Sequence, residues 1–146
     1  MTIIEKVLAL QDVELFEHVS TEALALLAAI AHEESYGKDE ELFRENDAAD
    51  AFHLILSGRI RLHRGGRDVT GAGPGDVLGT WALLDVESRV ATATVTEPVH
   101  VLRIDRADFF DLIADNLEIT RGVFRALVAR VRKLIEPSSL SPGRSS

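Results

Sequence analysis

Between Ala51 and Ile104 the apolar residues recur at every second position in several short runs, and this rhythm limits the possible folds more than any other feature of the chain. Phe52, Leu54 and Leu56 alternate with Ala51, His53 and Ile55. Past Ser57-Gly58, where a turn is expected, Ile60 and Leu62 alternate with Arg59, Arg61 and His63. A period of two sends successive side chains to opposite faces, the signature of antiparallel strands with one buried side. Gly65-Gly66 supplies the residues of a tight hairpin before Arg67-Asp68-Val69-Thr70. Small and β-branched residues alternate from Ala91 to Thr96, Pro98 is expected to break that strand, and Val99 to Ile104 follows as the last one.

On either side of this zone, which is expected to begin near Glu33, the rhythm is helical. Ile3, Ile4, Val7 and Leu8 make one apolar face, and Ser20 or Thr21 caps a second helix carrying Leu24, Leu27, Ala28 and Ala31. Asp105 caps a short helix with Phe109, Phe110, Leu112 and Ile113. A longer helix places Leu117, Val123, Phe124, Leu127, Val128, Val131, Leu134 and Ile135 on one stripe and ends at Pro137. The expected fold is α+β: an antiparallel β-barrel (a jelly-roll-like double-stranded β-helix) flanked by N-terminal and C-terminal helices. Residues 1–136 form one domain, and residues 137–146, rich in Ser and Pro, read as a disordered tail.

Charge narrows the list of partners. Residues 1–50 hold 13 acids and 3 bases, and the whole chain carries a net charge of -8. That balance disfavours nonspecific nucleic-acid binding, which needs clustered cations. The one basic run, Arg121, Arg125, Arg130, Arg132 and Lys133, suits the C-terminal end of a helix. With no cysteine, disulfides, thiolate metal sites and a thiol nucleophile are excluded. No apolar run approaches the roughly 20 residues of a membrane span, so the expectation is a cytoplasmic protein with no membrane insertion.

Enzymatic readings fare poorly. The run Gly71-Ala72-Gly73-Pro74-Gly75 lacks the glycines of a dinucleotide fingerprint at Asp76 and Leu78, and no Lys-Ser/Thr completes a phosphate loop. His18, His32, His53, His63 and His100 are scattered singly. His53 and His63 lie on neighbouring strands, but no carboxylate joins them at ligand spacing, so surface or satisfied histidines and no metal are expected. Ser57 and Ser88 have no evident triad partners. The chain is not expected to be an enzyme.

The informative constellation is Gly73-Pro74-Gly75-Asp76-Val77-Leu78-Gly79-Thr80-Trp81-Ala82-Leu83-Leu84, with Arg89 ten residues after Gly79. Backbone amides at the start of a turn attract an anion, a glycine permits close approach, and an Arg can clamp a phosphate. On these residues, and on Leu15-Phe16 and the Asp50–Ile60 strand-glycine-strand run, the chain resembles the cyclic nucleotide-binding domain family over about Val13 to Ile135.

The family's cassette reads Gly-Glu-aliphatic-Ala-Leu, then Arg, a small residue and Ala. The resemblance implies a ligand-binding set of Gly79, Thr80, Trp81, Ala82, Leu83, Arg89, Val90 and Ala91. Gly79, Ala82, Leu83, Arg89 and Ala91 match the family. Thr80 replaces the ribose-binding Glu, Trp81 an aliphatic residue, and Val90 an Ala, Ser or Thr. It further implies a regulatory module that senses cAMP, cGMP or another phosphate-bearing ligand noncovalently, with no cofactor. The alternative is a degenerate domain serving protein-protein interaction or dimerisation without nucleotide. Its partners would be a second copy, paired through the C-terminal helix, or a larger effector protein. Eleven residues follow Ile135, too few for a helix-turn-helix, so this chain alone is not expected to read DNA.

Overall fold

The first helix is fixed by its own sequence. Thr2 Oγ1 accepts from the Glu5 amide at 3.1 Å, and Glu5 Oε1 accepts from the Thr2 amide at 2.8 Å. This capping box starts α1 (Ile3–Leu10). The computed structural model describes residues 1–84 and 87–135, the side chains of Trp81, Ala82 and Glu87 excepted; the expected tail at 137–146 lies outside them. A 3-10 turn (Glu14–Phe16) leads to α2 (Thr21–Ala29), where Ser20 Oγ accepts from the Ala23 amide at 3.2 Å. Packing of α1 differs from expectation. Val7 and Leu10 form its buried edge, whereas Ile3, Ile4 and Leu8 are exposed.

Among the described residues eight strands follow: β1 (Ala31–Tyr36), β2 (Glu41–Phe43), β3 (Ala48–Ala49), β4 (Ala51–Arg64), β5 (Arg67–Ala72), β6 (Val77–Leu78), β7 (Glu87–Ser88) and β8 (Thr92–Asp105). All their pairings are antiparallel. The main sheet runs β1-β8-β4-β5, with β2 against β8 and β6 against β4, while β3 and β7 form a separate ladder. The expected barrel is therefore only partly realised. Among the described residues no ladder joins β1 to β5, so the sheet stays open.

Two local expectations are corrected. Ser57-Gly58 does not turn the chain and Pro98 does not end a strand; β4 and β8 each continue for 14 residues. Their register shifts around Ser57 and Arg59, so the irregularity is absorbed as a bulge. Gly58 has φ +90°, and a Cβ there would fall 2.1 Å from the Pro98 carbonyl oxygen. Exposed Pro98 and a glycine opposite it make one bent passage in two long strands. Gly65 and Gly66, both at positive φ, form the expected hairpin turn, with Arg64 opposite Arg67.

The alternation builds two cores. Phe52, Leu54, Leu102 and Ile104 face the helices, where Phe16 packs against Phe52 and Phe109 at ring separations of 5.8 and 6.4 Å. Ile55, Ile60, Ala72, Leu78, Val95, Val99 and Val101 line the other face, inside the curl of the sheet. Asp105 occupies the cap position of α3 (Arg106–Ala114), but its carboxylate makes no capping bond. It accepts instead from Arg103 Nε at 2.6 Å.

The last helix, α4 (Leu117–Ile135), buries Ile119, Gly122, Val123 and Ala126 against the body. Leu117, Phe124, Val128, Val131, Leu134 and Ile135 are exposed. The single stripe expected from the sequence is thus two stripes on nearly opposite sides of the helix.

Candidate functional site

Arg89 is placed by backbone on both sides. Its amide donates to the Asp47 carbonyl at 2.7 Å and its carbonyl accepts from the Asn46 amide at 2.8 Å, extending the β3-β7 ladder by one residue. From there the side chain turns inward and is only 6% exposed. One terminal nitrogen, Nη2, donates to the Ala51 carbonyl at 2.7 Å, and the guanidinium carbon lies 4.1 Å from the centroid of the Phe43 ring. Burial first, then the nearby Arg103, pulls the Arg89 pKa down, while Asp50 and Asp47 push it up. An arginine stays protonated under such opposing influences. A fixed positive charge is therefore held indoors.

His53 stands beside it. On β4 it shares the inward face of Ala51 and Ile55, opposite Leu78 on β6 and Arg103 on β8. Its ring centroid is 6.0 Å from that of Phe43. His53 is 1% exposed, and neither ring nitrogen has a hydrogen-bond partner among the described residues. Arg89 Nε is the third buried side-chain polar atom in that condition. Desolvation, reinforced by Arg89 and Arg103 and opposed by Asp105, pushes the His53 pKa down to about 3. The imidazole is neutral at any physiological pH, with one donor and one acceptor to offer.

The glycine turn lies at the end of β6. Gly79 has φ +82°, and Thr80–Leu83 make a four-residue 3-10 turn. Half-buried Thr80 borders a cavity of about 160 Å³ whose walls include Val77, Leu15, and Ala126, Leu127 and Arg130 of α4. The turn and the last helix thus face one another across this cavity. Leu83 is fully buried in the helix-side core, away from the inner face that carries His53. Ala91 is buried, whereas Val90, expected in the ligand-binding set, is 71% exposed and points to solvent. The side chains of Trp81 and Ala82 lie outside the described residues.

The expectation of surface or satisfied histidines holds for His63, which meets Thr94 Oγ1 at 2.7 Å, and for His100, which meets Ser35 and Glu33. It fails for His53. A histidine flanked at i±2 by Ala51 and Ile55 on an apolar strand was the available signal. The partner aromatic, Phe43 on β2, carried none.

Among the described residues one group has metal-ligand spacing: His32, Asp105 and Asp108, whose ligand atoms lie within 4.8 Å of one another. These side chains are exposed or half-buried, and Asp105 already holds Arg103, which makes the group a surface charge cluster at the start of α3. No helix among the described residues is long and apolar enough to cross a membrane.

The comparisons with known proteins agree with this geometry. The family model described as cyclic nucleotide-binding domain matches residues 33–116. The chain is 32% identical over 121 residues to the cyclic AMP receptor protein of Thermus thermophilus, covering 80% of this chain and 56% of that protein. It is 27% identical over 124 residues to the CRP-like cAMP-activated global transcriptional regulator of Mycobacterium tuberculosis, covering 82% and 55%. The chain thus spans about half the length of these curated relatives. In three dimensions it is similar to the N-terminal domain of a transcriptional regulator from Streptomyces coelicolor, with a TM-score of 0.80 and 27% identity, covering 86% of this chain and 91% of that one. The model match, spanning more than half the residues, and the fold around Gly79 and Arg89 lead to one conclusion: the chain belongs to the cyclic nucleotide-binding domain family.

Proposed function

We propose that the chain is a regulatory module, cytoplasmic in setting, that takes up a cyclic nucleotide or a related phosphate-bearing ligand noncovalently on the inner face of the sheet. The observation that carries this reading is the buried guanidinium of Arg89, whose Nη2 donates to the Ala51 carbonyl and whose Nε has no partner among the described residues. A buried cation with unused donors is costly unless an anion completes it. Gly79, Thr80 and the amides of Ala82 and Leu83 would approach the phosphate and sugar, with Ala91 at the margin. Because Thr80 borders the cavity against α4, a shift of that turn on ligand uptake would pass to the last helix.

Titration calorimetry with cAMP, cGMP and cyclic dinucleotides, on wild type and Arg89→Ala, tests the reading. The expected result is binding by wild type that Arg89→Ala abolishes. No heat with any of these ligands refutes it.

A second role is favoured by the outer stripe of α4. Leu117, Phe124, Val128, Val131 and Ile135 follow a spacing of three and four residues along one exposed face, the seam of a two-helix pairing. We infer a homodimer through α4, compatible with the sensor role and able to persist without it. Arg121, Arg125 and Arg132 lie along this stripe and repel across a symmetric pairing, so association should tighten with added salt. Sedimentation of wild type and of Phe124→Glu/Val131→Glu at two salt concentrations checks this. A monomer at every concentration refutes it.

A further inference from the structure

Both ring nitrogens of His53 and Nε of Arg89 are buried without partners among the described residues, on side chains that flank the same Phe43 ring. Buried polar groups in folded proteins are nearly always satisfied, so three together call for an explanation. Their chemistry is complementary: Arg89 supplies charge, and His53 supplies a neutral donor and acceptor. His53 lies on β4, outside the Gly79–Leu83 turn and the Arg89–Ala91 segment, and shares its face with Ile55 and Leu78. Thr80 has no carboxylate with which to hold a ligand hydroxyl, and the carboxylates that the register brings to the inner face, Glu34 and Asp105, already accept from Tyr36 and Arg103.

We propose that His53 is a specificity-determining contact of the ligand site. Its imidazole hydrogen-bonds a hydroxyl or ring nitrogen of the ligand whose anionic group meets Arg89, so the site selects a nucleotide over a bare phosphate ion. The proposal rests on the ligand reading above. It adds a residue and a source of selectivity to that reading. The neutral state imposed on His53 by burial fits the role, because a charged imidazole would compete with Arg89 for the anion instead of reading the remainder of the molecule.

The test compares wild type, His53→Leu and His53→Gln, each titrated with cAMP, cGMP and inorganic phosphate and each melted without ligand. Leucine fills similar volume without polar atoms, whereas glutamine restores a donor and an acceptor. The expected result is that His53→Leu weakens nucleotide binding about tenfold or more and leaves phosphate binding unchanged, while His53→Gln stays within about threefold of wild type. Free His53→Leu protein should melt a few degrees above wild type, since a group kept for the ligand is a burden without it.

Unchanged nucleotide affinity in His53→Leu overturns the proposal and leaves the ligand reading intact. A lower melting temperature for free His53→Leu also overturns it, because the imidazole is then a satisfied part of the core. Wild type that binds none of the nucleotides refutes the ligand reading and this proposal together.

Discussion

Replacing His53 changes how stability responds to pH, by an amount that follows from burial alone. The folded-state pKa is near 3, against 6.5 for an unperturbed imidazole. Below about pH 6.5 the unfolded chain takes up a proton that the folded chain refuses. The stability associated with neutral His53 is therefore whole above pH 6.5 and is lost progressively as the pH falls toward 3. Each pH unit in that window costs about 1.4 kcal/mol, which gives ~2 kcal/mol at pH 5. This figure is insensitive to the folded-state value, because at pH 5 the folded imidazole is still neutral whether it titrates at 3 or at 4. For a domain of this size it corresponds to roughly 7 °C in Tm.

The assay is urea denaturation of wild type and His53→Leu at pH 7.5 and pH 5.0. Both proteins keep His18, His32, His63 and His100, and both keep Glu5 and Glu33, whose carboxyl pKa values are lowered by hydrogen bonds from Thr2 and from the N-terminal ammonium respectively. Their contributions cancel in the difference between the two proteins. The leucine variant should gain on wild type by ~2 kcal/mol between the two pH values. A difference that is constant to within about 0.5 kcal/mol would mean that the folded protein protonates His53 with ease, contradicting the burial described above.

Four further outcomes are expected. Thr80→Glu should strengthen cAMP binding roughly ten- to a hundredfold in calorimetry, since a charge-assisted hydrogen bond contributes about 1.5–3 kcal/mol. Gly58→Ala should destabilise the fold by about 3 kcal/mol or more in denaturant titration, because it combines positive φ with a collision against the Pro98 carbonyl. Thr2→Ala should cost about 1 kcal/mol by removing one half of the capping box of α1, visible as a small drop in Tm. Phe109→Ala should cost roughly 3–5 kcal/mol in urea titration through loss of the aromatic contact with Phe16.

The sequence reveals the larger architecture because its signals are local. Alternation from Phe52 onward, the double glycine at Gly65-Gly66 and the side chains of Thr2 and Ser20 each act within a few residues of themselves. Gly58 makes no turn and Pro98 ends no strand because neither residue acts alone. Opposite one another on neighbouring strands they form a compatible pair, and that relation is set by the β4-β8 register. Likewise, periodicity counted the apolar residues of α1 and α4 correctly but could not say which of them the body covers. The answer depends on the angle at which each helix meets the sheet.

The site divides along the same line. Gly79 and Arg89 were legible through a cassette whose residues lie close together in sequence. His53 and Phe43 were not, because their meaning depends on β2, β4 and the Arg89 segment converging on a single ring. That convergence also explains why the cation at Arg89 can remain buried. The Phe43 face and the Ala51 carbonyl hold the guanidinium without neutralising it, so its charge stays available to an anion. A carboxylate in place of either contact would form a closed ion pair, whereas an aromatic face and a carbonyl stabilise the cation and leave Nε without a partner among the described residues. Under the ligand reading proposed above, Gly79 and Arg89 of the divergent cassette would supply the electrostatic half of a nucleotide site. The same reading leaves the sugar without the family's carboxylate, and buried His53 on the inner face would then make the contact that Thr80 cannot.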